Sequence, residues 1–128
     1  MRALLDTHAL VWWLTSDIRL SGPARACVGD PKAELYVSAA TAWEIATKVR
    51  IGKLQVPLRF IEDLPREVVR LGFRALPVSL AHGHRAGRLS AAHKDPFDRM
   101  LAAQSLIEDL PLVTVDPLFQ QFGVSTIW

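Results

Sequence analysis

Apolar positions in this chain fall into two kinds of run that alternate from end to end. Short continuous apolar segments have the length and composition of strands, while longer segments repeat their apolar residues at helical spacing. The pattern predicts a strand over 2–5, a helix over 7–14 with Thr7 as a capping hydroxyl, and a second helix over 21–28 with Pro23 in its first turn. A second strand is predicted over 34–37, after which Ser38 caps a helix that runs through Trp43, Glu44 and Lys48 and stops at Gly52. In the middle of the chain, two short helices over 58–64 and 66–71 are separated by Pro65. A strand over 73–78 follows, which Pro77 confines to a sheet edge or cuts short, and then a short helix over 79–86 that contains Gly83. Asp95-Pro96 marks a helix start, a capping acid followed by proline at the first helical position. That helix extends through Met100, Leu101, Ala103 and Ile107 to Asp109 and is apolar on most faces, so it is expected deep in the fold. Residues 112–115 form a continuous apolar run, as in a strand covered on both faces, followed by a short helix over 117–122 ended by Gly123 and a last strand over 124–128.

Strands alternating with helices imply an α/β fold, a parallel sheet with helices on both sides and right-handed crossovers. The length of 128 residues suits one domain over 1–128. In such sheets ligands gather beyond the carboxyl ends of the strands. Asp6 directly follows the first strand and Asp116 directly follows the run 112–115. Glu44 lies early in the helix after the second strand, and Asp98 lies in the first turn of the helix begun by Asp95-Pro96. All four therefore converge on one end of the fold. Four ionised carboxylates in one partly buried pocket repel one another, and a hard divalent ion, magnesium or manganese, relieves that repulsion with oxygen ligands. Such an ion activates water and neutralises a phosphate, so the implied chemistry is phosphodiester hydrolysis. Each acid also has a plainer role open to it. Asp6, Asp95 and Asp116 can cap helices or turns, Glu44 can pair with Lys48 one turn on, and Asp98 can satisfy first-turn amides.

Composition narrows the class. The chain is 50% hydrophobic and 22% charged, the balance of a soluble globule with a sizeable core. No run approaches the roughly 18 apolar residues of a membrane span, and Asp6 interrupts the apolar start too early for a signal peptide, so a cytoplasmic address is expected. Cys27 is the only cysteine, which excludes an internal disulfide and a thiolate zinc cluster and reads as a small buried hydrophobe. The net charge of +2 is compatible with nucleic acid but too mild to argue for it.

The segments Leu4-Leu5-Asp6-Thr7-His8, Val37-Ser38 through Trp43-Glu44-Ile45, Gly52-Lys53-Leu54, His93-Lys94-Asp95-Pro96-Phe97-Asp98-Arg99 through Gln104, and Leu112-Val113-Thr114-Val115-Asp116 occur in an order that resembles a PIN domain. The resemblance is strongest to the toxin branch often called VapC-like. It implies a three-layer α/β/α fold around a central parallel sheet, with Mg2+- or Mn2+-dependent endoribonuclease activity that leaves a 5′-phosphate and a 3′-hydroxyl. It implies a catalytic set of Asp6, Glu44, Asp98 and Asp116. Asp6, Asp98 and Asp116 would be metal ligands, and Glu44 and Asp95 further candidates. Thr114, with Thr7, would support the acids from behind. It also implies a homodimer and a small antitoxin protein that blocks the site, for which Trp12-Trp13 is a candidate hydrophobic contact.

RNA brought to an acidic pocket needs positive charge around it, and the candidates are Lys48, Arg85, Arg88, Lys94 and Arg99, with Arg50 and Lys53 nearby in sequence. His82, His84 and His93 have no thiolate partner and irregular spacing, which speaks against zinc; His93 reads as a structural hydrogen-bonder ahead of the Asp95 cap. Competing readings fit less well. A haloacid-dehalogenase-like phosphatase expects a second Asp where His8 stands, and a phosphoacceptor receiver expects an acidic pair and a late lysine that are missing here. A catalytically inactive PIN-like module that binds RNA or protein remains as the alternative, against which the intact four-acid set argues.

Overall fold

A computed structural model describes residues 1–128. Its elements follow in the order β1 (Arg2–Leu5), α1 (Thr7–Leu14), α2 (Gly22–Val28), β2 (Glu34–Ser38), α3 (Ala39–Arg50), α4 (Leu58–Glu62), α5 (Leu64–Arg70), β3 (Arg74–Leu76), α6 (Leu80–Arg88), α7 (Pro96–Glu108), β4 (Leu112–Val113), a 3-10 helix (Pro117–Phe122) and β5 (Thr126–Ile127). All strand pairs are parallel, in the order β3-β2-β1-β4-β5. The chain thus starts in the central strand, winds outward through β2 to β3, then passes back over β1 to β4 and β5. The winding direction reverses between β1 and β4, and the crevice beyond their carboxyl ends is the switch point at which open α/β sheets bind ligands.

Reversing the winding puts successive crossovers on opposite faces, and two separate apolar clusters reflect this. One gathers Ala3, Leu5, Leu10, Ala24, Ile45, Phe60 and Val68 beneath α1 to α5. The other gathers Leu4, Leu101, Ala102, Leu112, Phe119 and Phe122 beneath α7 and the 3-10 helix. Side chains along β1 alternate between them, Ala3 and Leu5 to one and Leu4 to the other, and all three are 0% exposed. This explains why β1 reads as continuously apolar. The three-layer α/β/α arrangement expected from the sequence is the observed one.

Helix starts follow the caps expected at Ser38 and Asp95, with refinements elsewhere. Ser21, Ser38, Ser79 and Asp95 each cap the helix they precede. At α1 the cap is Asp6, not Thr7, which lies inside the first turn. The break between α4 and α5 falls at Asp63 rather than Pro65. Asp63 leaves the helical region (φ −152°, ψ 73°) and its side chain accepts the Arg66 amide, so Pro65 occupies the first turn, where its missing N–H costs nothing. The strand expected over 73–78 is trimmed to three residues at the sheet edge, as Pro77 requires, and α6 runs on to Arg88. The strand expected over 112–115 pairs only at Leu112–Val113. Thr114 still donates its amide to Ile127, but its hydroxyl accepts the Asp116 amide, which turns the chain and leaves Val115 46% exposed. The segment 117–122 is a 3-10 helix, and of 124–128 only Thr126–Ile127 pairs as a strand.

After α3 the chain turns at Gly52 with φ +76°, a conformation that costs other L-residues about 1 kcal/mol or more. Gly52→Ala is expected to lose about 1 kcal/mol in a urea melt although nothing crowds the new methyl, whereas Gly22→Ala, equally uncrowded and at negative φ, is expected to be near neutral.

Candidate active site

The switch-point crevice is built from the ends of elements far apart in sequence. Asp6 leaves β1 with its amide donating to the Val113 carbonyl (3.1 Å), which ties it to β4, and its Oδ1 accepts the Ala9 amide at 2.7 Å as the cap of α1. The residue is 4% exposed. Burial pushes its carboxyl up to about 6; the Thr114 hydroxyl, the Ala9 amide and His8 oppose that rise, and the charge of Asp98 adds to it.

Glu44, in α3 and equally buried, has both oxygens engaged. Thr7 donates its hydroxyl to Oε1 at 2.6 Å, and the Lys48 ammonium pairs with Oε2 from one helical turn on. The Thr7 oxygen lies 3.2 Å from that of Thr41, another buried hydroxyl, which the sequence had not singled out.

Asp98 stands in the first turn of α7, its side chain one-quarter exposed. Burial raises its carboxyl, a hydrogen bond with His93 counters this, and the charges of Asp95 and Glu44 raise it again. The His93 Nε2 lies 2.7 Å from Oδ2. Asp95 caps α7, its Oδ1 accepting the amides of Phe97 (2.8 Å) and Asp98 (3.0 Å). Asp116 caps the 3-10 helix through Leu118 (2.9 Å), and its own amide donates to the Thr114 hydroxyl (3.1 Å). Thr114, 2% exposed, thus accepts the Asp116 amide and also favours the charged form of Asp6.

Asp98 therefore lies within electrostatic reach of Asp6 and of Glu44, and Asp116 stands at the same edge of the sheet with its amide on the Thr114 hydroxyl. The plainer roles are also real, since Asp6, Asp95 and Asp116 cap and Glu44 pairs with Lys48. As the side chains stand, no three His, Cys, Asp or Glu residues are close enough to share an ion. The donors are nevertheless hard oxygens without thiolate, desolvated and mutually repelling, and this chemistry fits a hard divalent cation.

The basic residues divide. Arg85, Arg88 and Lys94 are exposed, as are Arg50 and Lys53, while Lys48 is occupied by Glu44. Arg99, read from the sequence as an RNA-binding candidate, is engaged internally instead. Its five N–H groups turn inward to the carbonyls of Ala86, Gly87, Leu89, Ala91 and His93. His82 is buried and structural, with Nδ1 accepting the Ser79 amide and Nε2 on Glu108. Trp12 and Trp13 pack partly on the first core, and Trp12 also stacks with the His8 ring and carries the Arg19 guanidinium over its own ring. Cys27 is buried and unpaired, as expected.

Comparison with known proteins agrees with this architecture. The model of the PIN domain family matches residues 3–124. A stretch of 64 residues, 50% of this chain, is 41% identical to Ribonuclease VapC16 of Mycobacterium tuberculosis (strain ATCC 25618 / H37Rv) and spans 44% of that protein's length. Among solved structures, VapBC2 from Rickettsia felis bound to a DNA fragment from its promoter superposes with a TM-score of 0.69 at 14% identity, covering 98% of this chain and 97% of that one. FitAcB from Neisseria gonorrhoeae superposes with a TM-score of 0.60 at 21% identity, covering 98% and 96%. At these identities the structural likeness speaks for the fold.

The Asp6 carboxyl binds its proton more tightly in the folded chain than in the unfolded one. Its contribution to stability is therefore lost as pH rises from the ordinary 3.8 through about 6, a difference of roughly 3 kcal/mol at ~1.4 kcal/mol per pH unit. Asp6→Asn keeps the capping oxygen and removes the buried charge. In metal-free buffer it is expected to melt higher than the parent at pH 7.5 and level with it near pH 3.5. A variant melting lower at pH 7.5 would contradict the burial cost.

Proposed function

The chain belongs to the PIN domain family, and we propose that it is a divalent-metal-dependent endoribonuclease acting as the toxin of a toxin–antitoxin pair. The observation that carries this reading is that Asp98, from α7, feels the charge of Glu44, from α3, and adds to the rise of Asp6, at the end of β1, which is pushed up to about 6. Burial of Asp6 and Asp98 beside other acids lowers stability in the absence of a cation, and functional sites accept such costs. The similarity to a ribonuclease and the fold shared with toxin–antitoxin structures support the same reading.

In this reading Asp6, Asp98 and Asp116 hold Mg2+ or Mn2+, directly or through water, with Glu44 and Asp95 as further ligands. A bound divalent ion supplies an activated water and neutralises phosphate charge. The chain's own residues do the rest. Thr7 and Lys48 fix both oxygens of Glu44. The Asp6 amide on the Val113 carbonyl holds Asp6 in register with β4, and the Thr114 hydroxyl holds the Asp116 backbone beyond it. Arg85, Arg88 and Lys94 offer positive charge to the RNA backbone. The same reading takes 1–128 as a single PIN domain that works in the cytoplasm as a homodimer, with an antitoxin covering the crevice and reaching Trp12 and Trp13.

Cleavage mapping on total RNA tests it. The parent with Mn2+ is expected to cut and to stop on chelation, and Asp98→Asn to lose at least about 100-fold in rate while keeping its circular dichroism spectrum. A folded parent that binds RNA but never cuts points instead to an inactive binding module, and full activity in Asp98→Asn removes that residue from the mechanism. Asp95 is separated by two substitutions. Asp95→Ala is expected to lose about 1 kcal/mol with its cap, whereas Asp95→Asn keeps the cap. Loss of cleavage in a stable Asp95→Asn protein makes Asp95 a ligand.

A further inference from the structure

We propose that His93 is a positioning residue for Asp98, held in place by the inward-facing guanidinium of Arg99. The inference rests on the reading of Asp98 as a metal ligand and deepens it.

Asp98 has one oxygen engaged and one free. Oδ2 lies 2.7 Å from His93 Nε2, and Oδ1 accepts no hydrogen bond from the protein. A carboxylate near the start of a helix keeps freedom about its terminal torsion unless something fixes it. A single hydrogen bond to Oδ2 removes that freedom and leaves Oδ1 as the oxygen available to a cation. Partners outside the ligand set do this routinely for metal-binding side chains.

The position of His93 needs its own explanation, because it lies in the irregular connection between α6 and α7. Main-chain carbonyls in such a segment need donors. Arg99 supplies them: Nε to Ala86 (2.9 Å), one terminal nitrogen to Ala91 and His93 (both 2.9 Å), and the other to Gly87 (3.4 Å) and Leu89. Arg99 adjoins Asp98 in the same helical turn. Both ends of the His93–Asp98 hydrogen bond are therefore referenced to one rigid piece of α7, the carboxylate directly and the imidazole through its own carbonyl. The His93 ring also rests edge-on against Phe122, at 6.0 Å between centroids, which limits its swing. Lysine at position 99 keeps the charge but has one nitrogen, too few donors to gather carbonyls spread over residues 86 to 93.

The test is Mn2+ affinity measured calorimetrically on the purified chain without RNA, alongside cleavage kinetics. His93→Ala is expected to bind Mn2+ about 10- to 100-fold more weakly and to lower kcat with little change in KM for RNA, its metal-free melt staying close to the parent's. His93→Gln, which returns an N–H donor, is expected to recover part of the affinity. Unchanged Mn2+ binding in His93→Ala overturns the proposal. Tighter binding also overturns it, because His93 would then compete with the ion for Asp98. Arg99→Lys is expected to weaken Mn2+ binding and to add little to His93→Ala in the double variant. Independent, additive losses, or an Arg99→Lys chain that does not fold, overturn the part assigned to Arg99. If the folded parent binds no Mn2+ at all, the metal reading fails first and the positioning role falls with it.

Discussion

A carboxylate buried at the end of the central strand is the constraint around which this molecule is arranged. Asp6 ends β1, starts α1 and lies where the winding of the sheet reverses. Its neighbours compensate its burial only in part, which is why its carboxyl sits near 6. The Ala9 amide and Thr114 hydroxyl favour the charge, and Asp98, delivered by α7 from the opposite face, disfavours it. The two-sided core follows from the same topology. A chain that begins in the middle of its sheet must cross it in both directions, and the helices on each face then begin beside the same crevice.

The acids at that edge of the sheet have structural work of their own. Asp6, Asp95 and Asp116 cap the elements they precede, and Glu44 is held between Thr7 and Lys48. A structural role for these acids therefore does not exclude the proposed chemical one. A cap must stand where a helix begins, and in this fold that is also where the strands open onto solvent. Each acid is oriented by backbone amides or hydroxyls that are themselves part of the fold.

Much of this was legible in the sequence because it is local. A capping side chain and its amide lie within three residues of each other, so the starts of α2, α3, α6 and α7 could be read directly, as could the one-turn pair of Glu44 and Lys48. The order of the acids along alternating elements predicted one shared edge. Competition between neighbouring signals was harder to read. Pro65 looks like a helix breaker and is a first-turn residue, because Asp63 caps ahead of it. Asp6 takes the cap expected of Thr7 and frees that hydroxyl for Glu44. Least legible was Arg99. It lies among cationic neighbours, and its acceptors are main-chain oxygens, which no side-chain pattern reveals.

Those main-chain acceptors have a consequence for how this rim tolerates change. Gathering a connection by its peptide oxygens specifies its path without specifying its residues. The exposed positions Arg88, Ser90, Ala92 and Lys94 can exchange polarity, size or charge while the backbone beneath them stays put. Descendants of one ancestral chain can thus vary the lip of the crevice and leave its floor untouched, so that new selectivity arises at little risk to the fold.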